Sequence, residues 1–307
     1  MIGPRMLRLA VFAAGTVGGL SGAAYGLLNE QSRRARRVIG PPTSGPLRAD
    51  RVHYPEGHET RVPASHGDAE PLELAILGDS SAAGLGVDLP DQLPGVLIAR
   101  GMAEELERPV ALTTYAIVGT TSRELSLQVD SVLSKPPRLA LILIGANDVT
   151  SRLPIRASAL LLGQAVERLT AEGVAVVVGT CPDLGAIRPI PQPLRAVVRS
   201  VSLALAKAQR RAVEQAGGHA VPLADLLSPE FLTRPAEFFS HDRFHPSAAG
   251  YEAAATMLLP TLCHAIGAWE GAPVPSAPTR SSAAEARRPT RRLIARLNRH
   301  LRRRADA

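Results

Sequence analysis

A serine, a histidine and an aspartate stand in this chain where acyl-transfer chemistry would need them. The apolar run Leu72 to Leu77 breaks into Gly78-Asp79-Ser80-Ser81, and far downstream the chain reads Asp242-Arg243-Phe244-His245-Pro246. A serine hydroxyl is a poor nucleophile at neutral pH, so it needs a neutral imidazole to take its proton and a carboxylate to fix the imidazole's tautomer. Ser80, His245 and Asp242 suit those roles. The last two are three residues apart, about one turn if that stretch is helical. A tetrahedral intermediate also needs preorganised N–H donors aimed at its oxygen, each commonly worth about 2.7–4 kcal/mol of barrier. The backbone N–H of Ser80, that of Gly119 and the side-chain amide of Asn147 would supply three. The reaction these groups describe is hydrolysis of an ester.

The elements that must carry these residues follow from apolar patterning. Strands are expected over Leu72 to Leu77, Val110 to Val118, Leu139 to Ile144, Val174 to Val178 and His219 to Ala224, with Pro222 placing the last at an edge. Between them lie amphipathic stretches. One begins near Pro94 and carries Ile98, Met102 and Leu106; a second carries Leu162, Val166 and Leu169 and stops at Gly173; a third carries Val198, Val201, Leu205, Ala208 and Ala212 and stops at Gly217-Gly218. Ser247 is placed to cap a helix over Ala248 to Leu259. Alternating strands and helices give a parallel sheet, and ligands bind such sheets beyond the carboxyl ends of the strands. Ser80, Gly119 and Asn147 each fall just past such an end.

Gly78-Asp79-Ser80, Gly119, Gly145-Ala146-Asn147-Asp148 and Asp242-x-x-His245, in this order, resemble the four blocks of the SGNH hydrolases, the GDSL-type esterases and lipases. The resemblance runs from about Leu72 to Ile266. It implies an α/β fold of three layers, α/β/α, around a five-stranded parallel flavodoxin-like sheet. It also implies Ser80, Asp242 and His245 as the catalytic triad and Ser80, Gly119 and Asn147 as the oxyanion hole. Two departures stand out. The second block often carries an asparagine shortly before its glycine, where this chain has Tyr115-Ala116-Ile117-Val118, and Ser81 follows the nucleophile directly. Asp79 and Asp148 are expected to brace their loops by hydrogen bonds, His241 to lie at the surface and His219 to be structural.

The net charge is +7, but six basic residues face one acidic residue in 1–40 and ten face two in 271–307, so the chain between is net negative. The catalytic domain is therefore not expected to bind nucleic acid. Four segments are read: residues 1–40, a signal peptide or membrane anchor; 41–71, a Pro/Gly-rich spacer; 72–270, the hydrolase domain; and 271–307, a Pro/Ala/Ser linker with a basic tail. Leu9 to Leu28 is uncharged, and Ser21-Gly22-Ala23 offers a small-residue cleavage site, which favours export or envelope association. Arg33, Arg34, Arg36 and Arg37 argue instead for a domain on the cytoplasmic face of the membrane. In the tail, Leu293, Ile294, Leu297 and Leu301 share a helical face among arginines, a pattern suited to an anionic membrane or envelope polymer.

Cys181 and Cys263 are compatible with one disulfide, and Cys181 equally with a core position after a strand. No metal-ligand spacing such as Cys-x-x-Cys or His-Glu-x-x-His occurs, and neither metal nor cofactor is expected. The proline-rich loop Cys181 to Leu194 is a candidate wall of the acyl pocket. The expected substrates are carboxylic esters with short to medium acyl chains, or lipid-like esters. The alternatives are an O-deacetylase or acyltransferase acting on envelope glycans, and a non-enzymatic envelope scaffold. A phosphate-cradling reading of the glycine-rich turn at Gly78 lacks the Gly-Lys-Ser/Thr of a P-loop and leaves Asp242 and His245 unused.

Overall fold

Strands that are apolar at successive positions must be covered on both faces. The computed structural model, which describes residues 4–41, 45–55 and 70–269, meets that demand with helices on either side of one sheet. Its strands are β1 (Val52–His53), β2 (Leu72–Gly78), β3 (Val110–Thr114), β4 (Leu139–Leu143), β5 (Ala175–Gly179) and β6 (His219–Val221), in the order β1-β3-β2-β4-β5-β6. Leu72, Leu74 and Ile76 of β2 and Leu139, Leu141 and Leu143 of β4 face one core, whereas Ala75, Leu77, Ala140 and Ile142 face the other. The first core is closed by α2 (Pro94–Leu106), α7 (Leu223–Thr233) and α9 (Ala248–Ala265). The second is closed by α3 (Leu125–Leu133), α5 (Ile155–Ala171) and the end of α6 (Leu194–Gln215). Two short helices, α4 (Ala146–Thr150) and α8 (Pro235–Phe238), lie in the connections.

The three-layer α/β/α architecture is as expected, with one correction: the sheet has six strands rather than five. The sixth, β1, comes from within the stretch read as a spacer and pairs antiparallel with β3, Val52 opposite Ala111 and His53 opposite Val110. It covers an edge of β3 that would otherwise expose unpaired backbone, and two residues are too few to show a periodic pattern. All other pairs are parallel. β6 lies at the opposite edge and ends at Val221, because Pro222 has no N–H for the ladder and instead precedes α7.

Helix α1 (Pro4–Ile39), whose side chains are described from Gly22, reaches the domain through its C-terminal half, where Ala35 is buried in the first core. Cys181 and Cys263 are both buried free thiols, so the two are not paired. The basic C-terminal tail falls outside the described residues. Among the described residues no helix is long and apolar enough to cross a membrane, and no cluster of side chains could hold a metal ion.

Candidate active site

Ser80 sits in the turn that ends β2. Gly78 precedes it at φ +133°, and a side chain there would collide with the Leu143 carbonyl of β4, so only glycine lets the Ser80 turn press against its neighbouring strand. Gln128 of α3, buried on that helix's apolar face, holds the turn from behind. Its side-chain oxygen accepts from Gly78 N at 2.7 Å, and its amide donates to Gly78 O at 2.8 Å and to Thr120 Oγ1 at 3.3 Å. The Asp79 carboxylate accepts from the N–H of Ser81 at 2.9 Å and so braces the turn.

His245 Nε2 lies 3.0 Å from Ser80 Oγ, and its Nδ1 lies 2.6 Å from Asp242 Oδ2. The segment joining Asp242 to His245 is a turn and not the helix its spacing suggested. Oδ1 of Asp242 accepts from the N–H groups of Phe244 and His245 at 2.8 and 2.9 Å and from the Ser240 hydroxyl at 2.8 Å. Side chain and backbone thus close the turn together, an Asx-type device that brings the carboxylate to the ring it orients. Burial alone would raise the Asp242 carboxyl, but the hydrogen bond from His245 and the N–H groups of Phe244 and His245 outweigh it and hold the group well below the usual carboxylate range. An ionised Asp242 suits the tautomer with a proton on Nδ1, which would leave Nε2 as the acceptor facing Ser80 Oγ. The Phe244 ring stands edge-on to His245 at 4.8 Å, and Gly86 passes close beside the histidine, where a Cβ would stand 2.9 Å from His245 Cβ.

The donor side is built from two loops tied together. Asn147, in the first turn of α4, donates from Nδ2 to Thr120 O at 3.1 Å, leaving its second amide hydrogen unused by that bond. Asp148, fully buried, accepts from the N–H of Ser122 at 2.7 Å and its hydroxyl at 2.6 Å. Burial raises the Asp148 carboxyl, and the Ser122 bonds oppose that rise. These bonds answer the departure at Tyr115 to Val118. The Gly119 turn is held through Thr120 by Asn147 and Gln128, while the N–H groups of Tyr115 and Ile117 continue to bond β2 at Ile76 O and Gly78 O after β3 has ended. Among the described residues the N–H groups of Ser80 and Gly119 have no protein acceptor. Gln209 of α6 repeats the device of Gln128 one connection along, accepting from Cys181 N at 2.7 Å and donating to Ile144 O at 3.1 Å.

An apolar cavity of about 110 Å³ opens beside Ser80 and His245 and runs between α2, α7 and α9, lined by Ile98, Leu227, Phe231, Phe239 and Leu258. The loop after β5 forms one wall through Pro182, Leu184 and Ile187, as the proline-rich run suggested. Asp79 also lines it, and burial pushes its carboxyl up to about 6 against the pull of the Ser81 N–H and His245.

Residues 76–253 match the model of the GDSL-like lipase/acylhydrolase family, a span that includes Ser80, Gly119, Asn147, Asp242 and His245. The GDSL-like esterase Rv1075c of Mycobacterium tuberculosis is 42% identical over 292 residues, 92% of this chain and 91% of its own length. The chain belongs to the GDSL-like lipase/acylhydrolase family. Among solved structures, TesA matches at a TM-score of 0.50 over 63% of this chain and 99% of its own, with 21% identity, and so shares the fold. The lipase/acylhydrolase of Enterococcus faecalis matches at 0.47 over 61% and 93%, with 22% identity. As a GDSL-family member the protein is a carboxylic ester hydrolase.

Of the residues named from the sequence, the fold brings Ser80, His245 and Asp242 into one hydrogen-bonded chain and sets Gly119 in the turn after β3 and Asn147 in the first turn of α4. His241 is exposed, and His219 packs its ring edge-on against His264 at 5.6 Å in β6, away from the site. The sequence reading passed over Gln128 and Gln209. Each stands in a helical position flanked at turn spacing by apolar residues (Leu125 and Val132; Leu205 and Val213), and a lone amide on a buried stripe is the signal that could have found it.

Proposed function

We propose that the protein hydrolyses carboxylic esters by two-step acyl transfer through Ser80, with short to medium acyl chains seated in the apolar cavity. The observation that carries this reading is the chain Ser80 Oγ, His245 Nε2, His245 Nδ1 and Asp242 Oδ2 at the mouth of that cavity. Ser80 Oγ attacks the ester carbonyl as its proton passes to His245 Nε2. The carbonyl oxygen becomes an oxyanion held by the N–H groups of Ser80 and Gly119 and by the Asn147 amide. The intermediate collapses, the alcohol leaves with the proton from His245, and Asp242 stabilises the imidazolium meanwhile. Water then enters and attacks the acyl carbon as one of its protons passes to His245, and His245 returns that proton to Ser80 Oγ as the bond to the acyl group breaks and the acid leaves.

The test is hydrolysis of p-nitrophenyl acetate, butyrate, octanoate and palmitate by the full chain beside Ser80→Ala and Ser81→Ala. Turnover abolished only by Ser80→Ala, with a profile that falls off towards palmitate, is the expected result. Equal turnover in Ser80→Ala would remove the nucleophile and the mechanism with it.

A further inference from the structure

Helix α1 joins an uncovered apolar run to the catalytic rim. Every side chain from Gly22 to Leu27 is exposed, Tyr25 at 61% and Leu27 at 51%, although the sequence Gly-Ala-Ala-Tyr-Gly-Leu continues the uncharged run that begins at Leu9. From Leu28 the helix settles on the domain. Leu28, Asn29, Gln31, Ser32 and Ile39 are half-buried and Ala35 is buried. Gln31 clamps the end of the cavity-wall loop, donating from Nε2 to Gln192 O at 2.6 Å and accepting from Leu194 N at 3.0 Å. Arg36 donates to Thr150 O at 3.2 Å, and the Arg152 guanidinium reaches back to the Tyr25 hydroxyl at 3.2 Å and Asn29 Oδ1 at 3.4 Å. All these partners stand at the carboxyl end of the sheet, Thr150 in the helix that carries Asn147 and Gln192 in the loop that walls the cavity.

The spacing along the helix matters. Leu28 ends the uncharged run and Gln31 touches the wall loop, three residues and therefore about 5 Å apart along the axis. Arg33, Arg34, Arg36 and Arg37 follow, all exposed, at the depth of lipid headgroups if the uncharged run enters hydrocarbon. Other large apolar side chains are exposed on the same rim: Leu89 beyond the Ser80 turn, Ile117 and Val118 before Gly119, and Val197 in the first turn of α6. Exposed apolar groups on the rim that carries Ser80, with a row of cations along α1 one turn behind, match a bilayer in both its chemistries.

We propose that the catalytic rim is a lipid-facing surface. Helix α1 seats the protein on an anionic bilayer with the cavity mouth at headgroup level, and esters of membrane-resident amphiphiles are the substrates. The substrate half rests on the mechanism proposed above; the seating does not. It requires α1 to enter the surface, not to span it.

Because both native cysteines are buried, Val197→Cys and Ser134→Cys each offer one accessible thiol for an environment-sensitive fluorophore, the first on the rim and the second at the opposite end of the sheet. With full-length protein and vesicles of phosphatidylcholine and phosphatidylglycerol, the Val197 probe is expected to shift to the blue and be quenched by brominated lipid. The Ser134 probe should do neither, and the rim signal should weaken in Arg33→Gln/Arg34→Gln/Arg37→Gln. Equal responses from the two probes, or no response from Val197, would overturn the seating.

For the substrate half, one acyl group is offered as water-soluble p-nitrophenyl butyrate and as the butyryl ester of a vesicle-embedded amphiphile. Leu27→Asp is expected to lower turnover of the second at least about tenfold and to leave the first within about twofold. Equal effects on both overturn it. If wild type hydrolyses neither ester, the proposed mechanism and the substrate half fall together, and the probes still decide the seating.

Discussion

The two sides of Ser80 are built on opposite principles. Towards Gly119 and Asn147 the protein is polar and tied: Gln128, Asp148, Ser122 and Thr120 hold the Gly119 turn, the start of α4 and the Ser80 turn in one hydrogen-bonded network. Towards α7 and α9 it is apolar and packed, with Ile98, Leu227, Phe231 and Leu258 around open space. An oxyanion is stabilised by donors at fixed positions, and hydrogen bonds have the directionality to fix them. An acyl chain is bound by area and shape, which dispersion and burial supply without direction. The comparison teaches that substitutions on the first side should change kcat for every ester, whereas those on the second should change which ester is preferred.

The largest effect expected is at the axis between the two sides. Asp242→Asn removes the carboxylate that sets the histidine tautomer and should lower kcat about 10⁴-fold for all chain lengths, with the fold intact by circular dichroism. A loss confined to long-chain esters would assign Asp242 to binding. Next, Asn147→Ala should cut kcat about 10²–10³-fold at nearly constant KM, read from steady-state kinetics on acetate and octanoate alike. A change in KM alone would take Asn147 out of the oxyanion role.

The cavity side is sharpened by Ala255→Phe, which fills space along α9. Octanoate hydrolysis should fall about 10–100-fold while acetate changes less than about threefold. Equal losses on the two would merge the sides. Gln128→Leu should then reduce turnover of all esters about tenfold and destabilise the fold by about 1–3 kcal/mol, because the N–H of Gly78 is left buried and unpaired while its carbonyl keeps only the N–H of Ile117; urea unfolding and kinetics on the same sample separate the two.

The smallest effect concerns the pH dependence of stability. The folded Asp79 carboxyl titrates near 6, above its ordinary value of 3.8, so folding favours its protonated form. Its contribution is fully present below about pH 4 and is lost as the pH rises to about 6. Asp79→Asn keeps an acceptor for Ser81 N–H but cannot ionise. Its stability relative to wild type should therefore grow between those pH values, by at most about 3 kcal/mol. A pH-independent difference in urea midpoints would show that Asp79 does not titrate in that window.

Much of this molecule is written in local sequence. Continuous apolar runs gave the central strands, their breaks into Gly-Asp-Ser and Gly-Ala-Asn gave the rim, and Asp242-x-x-His245 supplied a spacing that a side-chain-closed turn satisfies as well as a helix would. β1 was not legible, since a two-residue strand exists only because the edge of β3 is there to pair with. Nor were Gln128 and Gln209, whose partners are backbone groups on strands distant in sequence. The docking of α1 escaped for the same reason: Arg33 to Arg37 read as charge beside an apolar run, while Gln31 and Ala35 show their roles only against the wall loop and the core.

The sequence by itself determined which groups can do the chemistry and which strand ends carry them, because residue type fixes nucleophilicity and apolar periodicity fixes the element. Only the tertiary structure decided that Ser80 rather than Ser81 meets His245, what holds the Gly119 turn, and where the cavity runs. Those are matters of distance between segments far apart in the chain, and such distances are set by packing rather than by any local pattern.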